Sequence, residues 1–228
     1  MIYLNNLIFK KRYFFYILIL IIIILLSITA YSENNPVYII IDPGHGGRDS
    51  GAVAADGTLE KELNLSVALN LRDFFQAAGY NTVMTRETDT DTDGDGIEKF
   101  NKSKDILNRI KYTEKYPNSI YISVHMNSSD SSQNKGFQVF YGWKNENSKN
   151  LAQSIYNIIK KADAVNRLRD VKKSPDTVYI FRNVTVPAVL VECGFIRNRE
   201  DFVLLADEEY QKTIAFILFC GISEYINS

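Results

Sequence analysis

Short apolar runs alternate along this chain with longer segments in which apolar residues recur at every third or fourth position. The short runs are bounded by turn residues and predict β-strands at 37–41, 81–86, 120–124, 136–141 and 187–191. The longer segments predict helices at 59–78, 102–116, 148–162 and 208–226, and Gly79 follows the first helix where a capping glycine belongs. Strands that alternate with helices predict a three-layer α/β domain with a mainly parallel sheet.

A hydrophobic segment precedes this domain. Three basic residues at 10–12 lead into an apolar run at 13–26, which residues 28–31 extend. Positive charge before such a run predicts that the N-terminus lies on the cytoplasmic side of the membrane and that the following domain lies outside. Roughly 20 apolar residues span a bilayer, a length reached here only when Ser27 and Thr29 are counted.

The choice between a cleaved signal and a membrane anchor stays open. Ile28 is bulky at a position where a cleavage site needs a small residue. A buried core helix is disfavoured because basic residues lead directly into the run. The sequence thus predicts a signal peptide or membrane anchor at 1–31, a linker at 32–36 and one domain at 37–228.

Charge and cysteine content exclude several classes of protein. Lys and Arg number 26 and Asp and Glu number 27, so no strong global field favours nucleic acid or an anionic membrane surface. We therefore expect no nucleic-acid partner and membrane contact only through the N-terminal segment. The two cysteines, Cys193 and Cys220, are too few for a disulfide scaffold, and the sequence does not decide whether they pair.

An acidic stretch at 87–96 predicts a surface loop. Its acids alternate with other residues and resemble the start of a calcium-binding loop. Such a loop needs a bidentate Glu at its twelfth position, which is Lys102 counted from Asp91 and Phe100 counted from Asp89. Calcium binding is therefore a disfavoured alternative.

The chain contains two histidines, and each lies at or just after the carboxyl end of a predicted strand. His45 occurs in IIIDPGHGG and His125 in YISVHMN, and a third strand, PAVLVE, ends in Glu192. Catalytic groups gather at the carboxyl ends of strands in open α/β sheets. We therefore expect these three side chains to meet at one edge, although His45 as a hydrogen-bonded loop residue and Glu192 as a partner of an Arg remain alternatives.

Glu60 is a fourth candidate, near the start of the helix that follows the glycine-rich His45 loop. Two His and one Glu form a known catalytic zinc set, which leaves a second Glu free as general base. Asp42 or nearby carbonyls could orient the imidazole rings. By spacing alone, however, an ordinary first-turn acid is the better interpretation of Glu60.

Cys193 offers a different mechanism, in which a thiolate attacks with histidine as its base. Strand alternation argues against it, because Glu192 shares a face with Leu190 while Cys193 points with Val191. We therefore interpret Cys193 as a buried packing residue.

These segments together resemble the zinc N-acetylmuramoyl-L-alanine amidases of the amidase-3 group, from about Val37 to the C-terminus. Four motifs carry the resemblance in family order: IIIDPGHGGRDSGA, LEKELNLSVALNL, SVHMNSS and VPAVLVECGFIRN. The resemblance implies that His45, Glu60 and His125 bind Zn²⁺ and that Glu192 is the general base. Two residues depart from the family pattern: Met126, where small residues are usual, and Cys193, which follows Glu192. Neither departure removes a proposed ligand.

The family resemblance also implies the substrate. Family chemistry cleaves the amide between the lactyl group of N-acetylmuramic acid and L-alanine in peptidoglycan. The segment NVTVPAVLVECGFIRNREDFVLLADEEYQ is similar to the spore-cortex subgroup, in which removal of stem peptides prepares muramic lactam and marks cortex for germination enzymes. Asn127 and Arg86, each near a strand end, are candidate contacts to peptide or glycan carbonyls.

The resemblance places the domain outside the cytoplasm, secreted or membrane-anchored, in the intermembrane space of the developing spore if it acts on cortex. Whether the enzyme needs an activating protein partner stays open. The alternatives are a non-catalytic peptidoglycan-binding module and another zinc hydrolase of the wall, a deacetylase or a peptidase, because an activated water attacks any suitably placed amide.

Overall fold

The structure is a computed structural model that describes Ile17, Ile19, Ile21, residues 36–94 and residues 99–228. The signal or anchor predicted at 1–31 and the linker at 32–36 therefore lie almost wholly outside the described residues. Among the residues that are described, no helix has the length and apolar character needed to cross a bilayer. Residues Val37–Ser228 form one compact unit.

A six-stranded mixed sheet forms the middle layer of this unit. Its strands are β1 Tyr38–Pro43, β2 Asn81–Met84, β3 Ser119–Asn127, β4 Gln138–Tyr141, β5 Lys172–Lys173 and β6 Ala188–Phe195, and their spatial order is β2-β1-β3-β6-β4-β5. All neighbouring pairs are parallel except β6 and β4. Strands β4 and β5 therefore run against the other four, and the expected mainly parallel sheet is confirmed.

Helices cover both faces of the sheet. They are α1 Glu60–Ala77, α2 Lys102–Lys115, α3 Asn147–Ala162, α4 Arg199–Leu205 and α5 Glu208–Ile226, with a 3₁₀ helix at Tyr179–Arg182. The main core lies between one face and helices α1, α3 and α5, and a smaller core lies between the other face, α2 and the 3₁₀ helix. The predicted three-layer α/β architecture is confirmed.

The structure differs from the predicted elements mainly at strand ends. Strands β3 and β6 extend past the apolar runs to Asn127 and Phe195, because neighbouring strands satisfy the backbone of their polar ends. Glu192 therefore lies within a strand instead of ending one. The short helix α4 was not predicted, although the Asn198 side chain caps it by accepting the amide N–H groups of Glu200 and Asp201.

The predicted alternation along β3 and β6 decides which residues face the site. Val124 and Met126 belong to the main core, so His125 points to the opposite face. Cys193 is also in the main core, where burial raises the pKa of its thiol well above the ordinary value. Its interpretation as a packing residue is confirmed, and both cysteines are free.

The contact between α3 and α5 depends on Gly221. Its position lets the helices approach so closely that an added Cβ would lie 2.7 Å from the Ile155 Cα atom. Gly→Ala in a helix interior ordinarily stabilises by about 0.5–1 kcal/mol. We expect Gly221→Ala instead to lower the free energy of unfolding by about 1–3 kcal/mol, because the backbone of α3 must move. Urea unfolding measures this, with the exposed Glu224→Ala as control; a more stable Gly221→Ala protein would contradict the prediction.

Candidate metal centre

The loop after β1 brings His45 back over the strand end. His45 has φ 60, a left-handed conformation that is uncommon outside glycine, and Gly46 has φ 127. At Gly44 an added Cβ would lie 2.1 Å from Nε2 of His125, so only glycine permits the close packing of that ring on the loop. The two imidazole rings meet edge to face with their centroids 4.9 Å apart.

Three side chains from three elements converge here. Glu60 Oε1 lies 3.2 Å from His45 Nε2 and 2.9 Å from His125 Nδ1. One ligand atom from each of these residues falls within 4.8 Å of the other two, as a shared metal ion requires. The loop, the first turn of α1 and β3 thus bring together the set that the sequence predicted at one edge.

Glu60 is held in place by more than the histidines. Its side chain is buried, with Oε2 accepting the Ala52 N–H at 2.9 Å and Oε1 lying 3.3 Å from both the Met126 N–H and Asn64 Nδ2. Burial opposes its charge, but the two imidazoles outweigh burial and hold the pKa of Glu60 well below its usual range. These contacts make Glu60 a site residue in addition to a first-turn acid.

Asp49 is a site residue that sequence reasoning missed. Its Oδ2 lies 3.0 Å from His45 Nδ1, an ion-pair distance at an angle outside that of a straight hydrogen bond. Asp42, which the sequence suggested for this role, instead accepts hydrogen bonds from Thr85, Ser123 and Arg109. Asp49 lies four residues after His45 in the tight turn GHGGRDS, a spacing that could have drawn attention to it.

Glu192 faces the same site from β6, directly opposite His125 in the strand register. Its Oε2 is buried and accepts no hydrogen bond from the described residues. Burial and the Glu60 charge outweigh the nearby histidines and raise the pKa of Glu192 to about 7. A carboxylate with a free oxygen and a pKa near neutrality is suited to general-base catalysis.

His45, Asp49, His125 and Glu192 line a cleft of about 260 Å³. The apolar part of its lining comes from Ile106 on α2, Leu190 on β6 and the segment 178–181 around the 3₁₀ helix. No element was predicted for this segment, although its sequence VYIF is an apolar run. The cleft therefore combines polar and apolar lining residues, as ligand sites commonly do.

The two candidate substrate contacts are placed differently. Asn127 is half-buried at the end of β3, and its contact with substrate stays a prediction. Arg86 is 4% exposed, and its guanidinium donates to backbone carbonyls of the His45 loop. The predicted role of Arg86 as a rim donor does not fit this placement, because its donors point into the protein and are occupied.

The acidic loop supports the His45 loop. Asp89 accepts the Gly47 N–H at 2.8 Å and pairs with Lys61, while Asp91 and Asp93 pair with Arg48. Within residues 36–94 and 99–228, the group that could hold a metal is the histidine and glutamate set, not this loop. The carboxylates here balance nearby positive side chains.

Comparison with known proteins identifies the chemistry. The family model described as N-acetylmuramoyl-L-alanine amidase matches residues 39–224. The chain belongs to the N-acetylmuramoyl-L-alanine amidase family. The four motifs of this amidase lie on β1 and the loop that follows it, on α1, on β3 and on β6.

Several proteins similar to this chain are bacterial amidases. A germination-specific N-acetylmuramoyl-L-alanine amidase from Bacillus subtilis is 35% identical, with 82% of this chain and 78% of the relative covered. The CwlD amidase from Clostridioides difficile, solved in complex with the GerS lipoprotein, is 34% identical with a TM-score of 0.77 over 84% of this chain and 98% of that one. The catalytic domain of CwlV from Paenibacillus polymyxa is 30% identical with a TM-score of 0.72, at the same coverage.

The charges around His45 predict how metal uptake depends on pH. Burial opposes protonation, but Asp49 and Glu60 outweigh it and raise the pKa of His45 in the metal-free site to about 9. A metal ligand must be a neutral imidazole, so binding expels a proton at any pH below that pKa. We expect the dissociation constant for Co²⁺ to fall about tenfold per pH unit from roughly pH 7 to 9 and then to level off.

A Co²⁺ titration followed by visible absorbance measures this dependence. The Asp49→Asn variant is the matched control, because it removes a partner that raises the His45 pKa and should shift the levelling point to lower pH. A Co²⁺ affinity that does not change between pH 7 and 9 in the unaltered amidase would contradict the assignment of His45 as a metal ligand that loses a proton on binding.

Proposed function

We propose that this amidase is a zinc-dependent hydrolase that cuts the amide between N-acetylmuramic acid and L-alanine in peptidoglycan. One observation carries the proposal: His45 and His125, which form a compact group with Glu60, line the same cleft as Glu192, whose Oε2 accepts no hydrogen bond from the described residues. Two nitrogen ligands and one oxygen ligand suit Zn²⁺ and leave a coordination position open. The donors present therefore fit the metal that the family uses.

Each residue of the site has a separate role in the proposed reaction. His45 offers Nε2, His125 offers Nδ1 and Glu60 offers Oε1 as ligand atoms, while Asp49 orients the His45 ring through its other nitrogen. Zinc held by these residues would polarise the scissile carbonyl and lower the pKa of the attacking water. Glu192 accepts the proton of the attacking water and passes it to the departing alanine amine as the carbon–nitrogen bond breaks.

The substrate form we propose is spore cortex. Support comes from the germination-specific relative, of which the chain covers 78%, and from the CwlD amidase at 34% identity. Removal of stem peptides from cortex glycan would leave muramic acid free for lactam formation. The proposed location is extracytoplasmic, with the N-terminal segment as signal or anchor. The complex of the CwlD amidase with a lipoprotein supports a protein partner for this chain.

Two alternatives from the sequence have less support. A binding module that lacks catalysis would have no need for a buried Glu192 oxygen that accepts no hydrogen bond beside a group of metal-binding residues. A deacetylase or peptidase uses related chemistry, but the family match over 39–224 favours the amidase.

A digestion experiment tests the function. The full chain in mild detergent is incubated with purified cortex or vegetative peptidoglycan, with and without Zn²⁺, and the new ends are identified by mass spectrometry. We expect zinc-dependent release of stem peptides that begin with L-alanine. Release of acetate, or a cut within the stem peptide, would overturn the proposed reaction, and activity on vegetative wall alone would overturn the cortex assignment.

Glu192→Gln separates the base from the ligands. The amide keeps the side-chain volume but accepts a proton poorly, so we expect the variant to bind zinc as the unaltered amidase does and to lose at least about 100-fold in kcat. Zinc content and the digestion rate are the two measurements. Cys193→Ala, one residue along and on the opposite face, should retain hydrolysis. Zinc loss in Glu192→Gln would contradict the role of general base.

A further inference from the structure

Two buried arginines lie under the loop that carries His45. Arg86, just after β2, and Arg109, on α2, are each 4% exposed. Between them they donate hydrogen bonds to three consecutive backbone carbonyls, those of Pro43, Gly44 and His45. The proposed reaction itself uses neither guanidinium.

Arg109 fixes the backbone of His45 directly. Its Nη2 donates to the His45 carbonyl at 2.6 Å and its Nη1 to the Pro43 carbonyl at 2.8 Å. Asp42 and Asp105 accept from the same guanidinium at 2.7 and 2.8 Å and balance its charge. The planar fork of arginine allows all four contacts at once, which the three donors of a lysine cannot reproduce.

Arg86 ties the same loop to the helix that carries Glu60. Its Nη2 donates to the Gly44 carbonyl at 3.0 Å and to the Lys61 carbonyl, in the first turn of α1, at 2.8 Å. Asn64 joins the same two elements, since its Nδ2 lies 3.1 Å from the Gly44 carbonyl and 3.3 Å from Glu60 Oε1. The side chains of Arg86 and Asn64 therefore fix the distance between the His45 loop and the helix that carries Glu60.

The burial of two arginines is energetically unfavourable, because each guanidinium loses its hydration. Arg86 donates to four backbone carbonyls, which carry no formal charge to balance its own. The loop they hold contains His45 at φ 60, a conformation that persists only where its surroundings enforce it. Charge-assisted hydrogen bonds to the flanking carbonyls provide that enforcement.

We propose that Arg86 and Arg109 are positioning residues that preform the metal centre, by holding the His45 backbone in its left-handed conformation and at a fixed distance from Glu60. This inference rests on the proposed function, because it assigns the arginines to the binding of zinc by His45 and Glu60. It predicts that the arginines control metal affinity and geometry beyond any contribution to the stability of the fold.

The test compares Arg109→Lys and Arg86→Lys with the unaltered full chain in mild detergent. Both variants keep the positive charge but lose the planar guanidinium with its several donors. Ile155→Val, fully buried in the main core on the other side of the sheet, is the control for lost stability. Three quantities are measured: the zinc dissociation constant by chelator competition, the urea midpoint of the metal-free protein, and the visible spectrum of the protein saturated with Co²⁺.

We expect each arginine variant to weaken zinc binding about 10- to 100-fold and to change the Co²⁺ spectrum at saturation, because the ligands no longer meet in one geometry. Ile155→Val should lower the urea midpoint and leave both metal readouts unchanged. Folded arginine variants with an unaltered zinc affinity and Co²⁺ spectrum would overturn the inference.

If Arg109→Lys does not fold, Asp105→Asn takes its place, since it keeps the arginine and removes one carboxylate that orients it. A smaller loss of zinc affinity in the same direction would support the inference, and an unchanged affinity would overturn it. Failure of the unaltered chain to bind zinc would overturn the proposed function itself, an outcome distinct from any result on the variants.

Discussion

The structure of the site depends on one buried carboxylate. Glu60 is 4% exposed and lies within 3.2 Å of both histidines. Burial of a carboxylate is unfavourable unless opposite charge or hydrogen bonds compensate it, and here the two imidazoles and three N–H groups do so. Because His45, Glu60 and His125 come from three elements, this requirement joins the loop after β1, the start of α1 and the end of β3.

Electrostatic neutralisation extends outward from that centre. Asp49 faces His45, Asp42 and Asp105 face Arg109, and the acidic loop faces Arg48 and Lys61 in a sequence of opposite charges. Glu192 is the exception, since its buried oxygen accepts no hydrogen bond from the described residues. Glu192 is also the carboxylate that we propose as the general base.

The sheet separates packing from catalysis. Along β3 and β6, alternate side chains enter either the main core beneath α1, α3 and α5 or the cleft beside α2 and the 3₁₀ helix. Three helices cover the first face fully, whereas one helix and a short 3₁₀ turn cover the second and leave the cleft beside the polar ends of the strands. A single alternation therefore places Cys193 in the main core and Glu192 in the cleft.

Local periodicity in the sequence determined the helices, the strand interiors, the α/β class and the side of the sheet on which His125 and Glu192 lie. The convergence of His45, Glu60, His125 and Glu192 was also predictable, because parallel strands bring their carboxyl ends to one edge. The ends of β3 and β6 and the reversed direction of β4 depend on hydrogen bonds between segments distant in sequence. The burial of Arg86, the contact of Asp49 with His45 and the apolar lining at 178–181 were decided by tertiary structure, because each depends on which loops pack together, a property that no local pattern encodes.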